Sequence, residues 1–338
     1  MFEHQADIAR SGTERVAEAK PARPERPNDA PAAILLAGGV EASPLAAAAG
    51  RSVLDLNIAP SRTVLGAWER AFKSVGISTV GVAEGGAAPS PLRHGGRVRT
   101  LRDAEPYRGP GGAARDAWEQ LGRPNRVVIA EGGRWPGVSL PTILDAHERT
   151  QADVTVGVNP DGSPAGVYVA SSSAVDLIPR LGFVDLKEQW LPHALGAGFD
   201  VRGHLLNGHG TRPIRTLPQL LSVATLAGEA KSAGTWRVIC PGARVMRESD
   251  VVDSIVMPGA VIERGAVVAR SLVLPGGRVG AGEILVDGVA RADGRFVAFG
   301  DRPTRVHAAV SDTPGVLASW NARGMCDPAD AERAGIAA

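Results

Sequence analysis

The sequence is poor in cysteine, in aromatic residues and in net charge. Only Cys240 and Cys326 occur among 338 residues, and their spacing suits neither a disulfide framework nor a zinc site. A net charge of +1 argues against nucleic acid or an anionic membrane as an electrostatic partner. No apolar run approaches the roughly 18 residues that span a bilayer, and the N-terminus lacks the apolar core of a signal peptide. These absences favour a cytoplasmic protein.

The sequence does contain enough apolar residues for one or two cores. The hydrophobic fraction is 44%, and a prior of roughly 100–200 residues per domain favours two domains. We divide the chain into a flexible, proline-rich N-terminal tail (1–30), an α/β domain (31–230), a repeat region (236–290) and a C-terminal extension (291–338).

Strands and helices alternate from residue 32 onwards. Buried strands are predicted over Ala32–Ala37 and Ser78–Val82, and an extended segment over Arg51–Leu56. A helix with Ser61 as its N-cap is predicted between them, because four apolar residues recur at helical spacing: Val64, Leu65, Trp68 and Phe72. This alternation predicts a Rossmann-like α/β fold, in which ligands lie at the carboxyl ends of parallel strands.

The middle of the chain continues this alternation. Two or three further helices are expected between residues 174 and 229. Two helices and three strands are predicted before them: Ala113–Leu121 and Leu140–Thr150, then Arg126–Ala130, Ala152–Val158 and Gly166–Ala170.

An internal repeat begins after Trp236. An apolar residue followed by Pro-Gly recurs every 17 residues, at Cys240, Met257 and Leu274. Aliphatic residues return about every six positions: Val245, Val251, Val256, Ile262, Val268, Val273, Val279 and Leu285. This period predicts a parallel β-helix, because each flat face needs an inward aliphatic side chain and each corner needs a tight turn. About three coils are too few to be stable alone, so we expect them to pack against the α/β domain or another subunit.

An α/β domain followed by a left-handed hexapeptide β-helix resembles the sugar-phosphate nucleotidyltransferases, which include ADP-glucose pyrophosphorylase and mannose-1-phosphate guanylyltransferase. The resemblance covers about residues 31–290. Six segments carry it: Leu36-Ala-Gly-Gly39, Tyr107-Arg-Gly109, Ile143–Glu148, Ala152–Thr155, Asp185–Pro192 and Arg212–Thr216. The resemblance implies nucleotide binding by five residues: Leu36, Ala37, Gly38, Gly39 and Gly109.

The sequence departs from this family at the positions that hold phosphate and metal. Relatives bind Mg²⁺ through two aspartates, and the matching positions here are Gly132 and Pro213. Glu41 stands where the last glycine of the phosphate loop is expected, and a carboxylate there would repel phosphate. Arg51 replaces a lysine of the family. We therefore predict no metal site, with Mg²⁺ expected only if the protein is an active enzyme of the family.

Few residues could take over the missing roles. The weak catalytic candidates are Arg51, Glu131, Asp185 and Lys187. Lys187 and Glu188 are interpreted as the solvated face of a helix, with a polar pair at the cleft as the alternative. Relatives also carry some tens of residues, including a lysine that grips the sugar phosphate, between two strands that here are joined by a short turn.

Three functions remain open from the sequence. The first is a catalytically impaired nucleotidyltransferase-like protein that acts as a nucleotide or nucleotide-sugar binding, regulatory or assembly subunit, forming a homo- or hetero-oligomer through the β-helix. The second is an active sugar-1-phosphate nucleotidyltransferase with relocated groups. The third, an acyltransferase, needs a histidine near the coils, and residues 237–290 contain none. We favour the first, because losing one charged group commonly costs roughly 100-fold to 1000-fold in rate, and several are changed together.

Overall fold

The computed structural model describes residues 31–37, 43–84, 98–102, 107–227, 235–299 and 304–307. Its first eleven strands are β1 (Ala32–Leu36), β2 (Asn57–Ala59), β3 (Arg62–Thr63), β4 (Thr79–Glu84), β5 (Val98–Arg102), β6 (Arg126–Glu131), β7 (Arg134–Val138), β8 (Val154–Val158), β9 (Pro164–Ser171), β10 (Val201–Leu205) and β11 (Gly208–Pro213).

Seven α-helices accompany these strands, together with a 3₁₀ turn (Val53–Asp55) and a π-helical turn (Leu186–Trp190) within the described ranges. The helices are α1 (Pro44–Ala49), α2 (Val64–Lys73), α3 (Gly109–Gln120), α4 (Leu140–Thr150), α5 (Ser172–Asp176), α6 (Leu191–Gly196) and α7 (Leu217–Ala227). None of the helices in the described part of the chain has the length and apolar character needed to cross a membrane.

A mixed sheet with a parallel core organises the α/β part. Seven described strands lie in the order β10-β8-β9-β6-β1-β4-β5. Strands β5, β4, β1 and β6 are parallel to one another, whereas β9 runs antiparallel to both β6 and β8. The carboxyl ends of β1 and β6 therefore lie side by side, with Leu36 opposite Glu131. Open α/β sheets bind their ligands beside these carboxyl ends of the strands.

The sheet is buried on both faces, as the continuous apolar sequence of β1 predicts. Ala33 and Leu35 belong to one core, and Ile34 and Leu36 to the core on the opposite face. The first core includes Trp68 of α2, which is fully buried and stacks on Phe72 at 5.5 Å between ring centroids. The helical spacing of these aromatic residues thus identified a core helix.

Several local predictions were wrong. The segment predicted as extended contains the 3₁₀ turn, because Ser52 Oγ accepts a hydrogen bond from Leu54 N at 3.3 Å. Helix α2 begins at Val64, and its N-cap is Thr63 rather than Ser61. Among the first eleven strands, β2, β3, β7, β10 and β11 were not predicted.

The C-terminal part consists of short stacked strands. In order they are β12 (Arg237–Ile239), β13 (Arg244–Val245), β14 (Asp250–Val252), β15 (Ser254–Val256), β16 (Val261–Ile262), β17 (Val267–Ala269), β18 (Leu272–Val273), β19 (Arg278–Val279), β20 (Glu283–Val286), β21 (Gly288–Ala290), β22 (Phe296–Ala298) and β23 (Thr304–His307). We refer to residues 237–290 as the coil region.

Each strand of the first coil pairs in parallel with the strand 17 residues further on. Arg237 lies opposite Ser254 and Arg244 opposite Val261, and the next coil repeats this spacing. The inward aliphatic residues predicted from the repeat are buried from Val251 onwards. The three sheets that result are consistent with a parallel β-helix.

One continuous core joins the coil region to the α/β part. Leu35 of β1 and Leu220 of α7 belong to it. Seven coil residues are buried in the same core: Val238, Cys240, Ile255, Met257, Leu272, Leu274 and Val289. The coil region therefore packs against the α/β part, which is one of the two arrangements that its small size predicts.

The two ends of the coil region differ. At the C-terminal end, β22 and β23 add antiparallel strands to β21 and β20. At the other end, Ala243 and Val245 are only partly buried, although their equivalents one coil later, Ala260 and Ile262, have no exposed surface. Met246 beside them is 46% exposed. We call residues 243–250 the open coil end.

Candidate functional site

The predicted nucleotide loop begins where β1 ends. Leu36 itself is buried in the core, and its carbonyl accepts a hydrogen bond from Gly132 N at 2.9 Å. Ala37 N donates to Ala83 O, also at 2.9 Å. Gly38 and Gly39 lie outside the described residues. These two backbone groups are therefore already hydrogen-bonded within the fold, and nucleotide binding by Leu36 and Ala37 remains a prediction.

Gly109 has a packing role. It begins α3 with φ +68°, and a Cβ atom there would lie 2.7 Å from the carbonyl oxygen of Val184. Gly111 N donates to that same oxygen at 2.8 Å. A glycine is required because the start of α3 meets the Val184 backbone directly. Nucleotide binding by Gly109 remains a prediction.

An ion-pair cluster occupies the carboxyl end of β6. Glu131 Oε1 lies 2.9 Å from Lys187 Nζ, and Glu131 Oε2 lies 3.5 Å from Arg134 Nη1. Lys187 was predicted to belong to a solvated helix face, but its partner across the fold is Glu131 rather than the neighbouring Glu188. Arg134 was not among the site residues predicted from the sequence. We call Glu131, Arg134 and Lys187 the charged cluster.

Arg134 is the fixed member of this cluster. Its Nε donates to Thr211 Oγ1 at 2.9 Å and its Nη2 to the Pro164 carbonyl at 3.2 Å. Its side chain is 15% exposed, whereas that of Lys187 is 43% exposed. Since Lys187 sits at the end of a flexible four-carbon stem, it can change partners while Arg134 stays in place.

The other two catalytic candidates lie apart from this cluster. Asp185 Oδ1 accepts hydrogen bonds from the backbone N–H groups of Lys187 and Glu188, at 2.7 and 2.9 Å, so its carboxylate caps the π-helical turn. Arg51 follows α1, and its buried Nε has no hydrogen-bond partner among the described residues. Among the four candidates, the described structure therefore joins only Glu131 and Lys187 through their side chains.

A cleft of about 550 Å³ opens beside the charged cluster. Its lining combines cations with hydrogen-bonding groups: Arg134, Asn159, Asp161, Ser163, Lys187, His209, Thr211 and Arg212, with Pro160, Pro164, Gly208 and Pro213. Asn159 and Thr211 are buried, and Asn159 Oδ1 accepts a hydrogen bond from Thr211 N at 2.8 Å. This bond ties β11 to the turn after β8.

The cleft and the residues beside it carry a small excess of positive charge. Arg134, Lys187 and Arg212 contribute three positive charges. Against them stand Glu131 and Asp161. Hydrogen bonds from the Ser163 side chain and backbone lower the pKa of the Asp161 carboxyl, so it stays ionised. A cationic, hydrogen-bonding cleft of this size suits a phosphate-bearing ligand.

Two titratable groups near the sheet stay neutral. Burial, with Glu131 and Asp185 nearby, raises the pKa of the Tyr168 hydroxyl above its ordinary value. Burial and then Arg126 lower the pKa of His147 to about 4, and its Nδ1 lies 2.9 Å from Thr155 Oγ1. Both groups are therefore uncharged near neutral pH.

The residues at the carboxyl end of β6 do not fit a Mg²⁺ site. Glu131 is the carboxylate at the end of β6, and both its oxygens already face cations. Mg²⁺ needs oxygen ligands in octahedral geometry, and two adjacent positive charges would repel it. Within the described ranges, no three His, Cys, Asp or Glu side chains lie close enough together to hold a metal ion.

Comparison with known proteins gives a distant structural likeness. No protein-family model and no curated protein matches the sequence. The chain is similar to a crystal structure described as a glucose-1-phosphate thymidylyltransferase from Bacillus anthracis in complex with sucrose. The TM-score is 0.47 and the identity 13%, with 60% of this chain and 98% of that chain covered. At this score and identity the likeness assigns no function to the chain.

Proposed function

We propose that the protein is a nucleotidyltransferase-like protein that binds a nucleotide or nucleotide sugar in the cleft without transferring a nucleotidyl group. The observation that carries this proposal is the charged cluster. A carboxylate at the end of β6 is the residue best placed to hold a catalytic metal, and here Glu131 is engaged by Lys187 and Arg134. Cations remain to bind phosphate, and both oxygens of Glu131 face a cation in the described part of the chain.

An active enzyme with relocated groups is less well supported. It would need Arg51 and Asp185 to act together with Glu131. Asp185 instead caps a helical turn through its own backbone neighbours, and no contact links the Arg51 side chain to the charged cluster among the described residues. Groups that act on one phosphate must lie within hydrogen-bond reach of it.

Activity and binding assays test this proposal together. With Mg²⁺, nucleoside triphosphates and a panel of sugar 1-phosphates, we expect no pyrophosphate release above background. A nucleotide sugar in the panel ADP-, GDP-, UDP- and dTDP-glucose is expected to raise the melting temperature, since a ligand at 100 times its Kd stabilises a protein by about 2.7 kcal/mol.

Matched arginine variants locate the binding. Arg212→Gln is expected to reduce the thermal shift, because Arg212 lines the cleft. Arg215→Gln, three residues further on and outside the lining, is expected to leave it unchanged. Pyrophosphate release with any substrate pair would reject the proposal, as would a thermal shift that Arg212→Gln leaves at its wild-type size.

We also propose that residues 31–230 and 236–290 form two domains, the second a left-handed hexapeptide β-helix, and that the open coil end is an assembly surface for a second copy. This segment contains two basic residues, Arg244 and Arg247, and two acidic residues, Glu248 and Asp250. In a two-fold dimer the basic residues of one copy can face the acidic residues of the other, with Met246 covered at the contact.

Light scattering tests this assembly. We expect a dimer at micromolar concentration and a monomer for Met246→Glu, because a carboxylate would be buried at the contact. Arg295→Glu is the control, since Arg295 lies between β21 and β22, outside the open coil end, and its side chain is 80% exposed. A monomeric wild-type protein, or dissociation of both variants, would contradict the proposal.

A further inference from the structure

We propose that the cleft binds the phosphate of its ligand without a divalent cation, with Lys187 exchanging Glu131 for the phosphate and Arg134 serving as a fixed counter-charge. This inference rests on the proposed function and assigns the positive charge at that site to the chain itself. It follows from the geometry of the charged cluster and from the charges that line the cleft.

The first step concerns Glu131. Its Oε1 faces Lys187 Nζ at 2.9 Å and its Oε2 faces Arg134 Nη1 at 3.5 Å. A metal bound to either oxygen would lie close to at least one of these cations. Because two like charges at such a distance repel strongly where water is partly excluded, metal binding would require the cations to move away.

The second step is that Arg134 cannot readily move. Two of its nitrogens are held by Thr211 Oγ1 and the Pro164 carbonyl. Thr211 is itself buried, and its Oγ1 donates to the Ala165 carbonyl at 2.6 Å. The guanidinium is thus anchored to β9 and β11, and its positive charge is a permanent part of the cleft wall.

The third step is that Lys187 can move. Its side chain is 43% exposed, and the structure gives its ammonium a single ion pair, to Glu131, among the described residues. A phosphate entering the cleft offers more acceptor oxygens and more negative charge than one carboxylate. Lys187 and Arg212 can then approach the phosphate from the lining while Arg134 stabilises it from the wall.

The experiment measures the affinity of wild-type protein for ADP-, GDP-, UDP- and dTDP-glucose by calorimetry, once with excess Mg²⁺ and once with EDTA. We expect the Kd of the best ligand to differ by less than about twofold between the two buffers. Lys187→Met is expected to raise the Kd about tenfold, because the variant loses one charge-assisted hydrogen bond to the phosphate. Lys73→Met, at an exposed helix position away from the cleft, is the control.

Glu131→Gln separates this inference from a metal site. If Glu131 only competes for Lys187, removing its charge should tighten binding several-fold in both buffers. If Glu131 holds a metal, the same change should weaken binding in Mg²⁺. Melting temperatures of all variants verify that they fold.

The outcomes are distinguishable. Binding that is lost in EDTA, or weakened by Glu131→Gln, overturns the metal-free inference and leaves the proposed function standing. An unchanged affinity in Lys187→Met also overturns it. Failure of every nucleotide sugar to bind in either buffer overturns the proposed function, and the inference with it.

Discussion

Replacing Arg108 by Met is expected to destabilise the protein by about 3–5 kcal/mol. Arg108 is 1% exposed and its Nε and Nη2 bind the Asp116 carboxylate at 3.1 and 3.2 Å. It also donates to the carbonyls of Gly182 and Pro179. Removing one partner of a buried ion pair leaves a charge in a medium that solvates it poorly, which accounts for the size of the loss. Chemical denaturation measures it.

Two further variants make the Arg108 prediction specific. Arg264→Met removes an arginine whose side chain is 70% exposed, and exposed ion pairs contribute little, so we expect a loss below about 0.5 kcal/mol. Adding Asp116→Leu to Arg108→Met should recover part of the stability, because no carboxylate then remains buried. A loss of under about 1 kcal/mol for Arg108→Met would contradict the prediction.

Gly137→Ala is expected to cost about 3 kcal/mol and to weaken ligand binding in the cleft. Gly137 lies opposite Gly210 in the β7–β11 pair, and a Cβ atom would lie 2.5 Å from the Gly210 carbonyl oxygen. Since that oxygen belongs to the backbone, β11 must shift, and overpacking of this kind typically costs about 1–3 kcal/mol. The shift would displace Thr211 and Arg212, which line the cleft.

Gly133→Ala is the matched control for this glycine. Gly133 lies four residues earlier and has no heavy atom within 4 Å of the position where its Cβ would stand. We expect unchanged stability and binding, by denaturation and by the calorimetric assay. If Gly137→Ala bound nucleotide sugar with wild-type affinity, the contribution of β11 to the cleft would be refuted.

The sequence predicted those parts of the fold in which the same residue types recur at a regular spacing. The coil region was predicted because Pro-Gly recurs every 17 positions and aliphatic residues return about every six, and each coil stacks on the next. The alternation of apolar strands and helices likewise predicted β1, β4 and β6. Strand β11 was missed, because Gly208-His-Gly-Thr-Arg-Pro213 has no apolar alternation. Its place is fixed instead by pairing with β7 and by the bond to Asn159.

The site could be predicted only in part. Glu131 and Lys187 were recognised separately, but they are 56 positions apart and no local pattern indicates that they meet. Arg134 offered no signal either, because its importance comes from Thr211 and Pro164, contributed by distant strands. Tertiary pairing of charges depends on strand order and register, which periodicity does not specify.

Because its coils are spaced 17 residues apart, the coil region can change in length only by whole coils. Each strand finds its neighbour one turn further along, so an insertion of one complete turn would restore the ladder of hydrogen bonds beyond it. An insertion of any other size would rotate the inward aliphatic residues out of the interior. During evolution the coil region should therefore lengthen or shorten by duplication or loss of whole 17-residue coils.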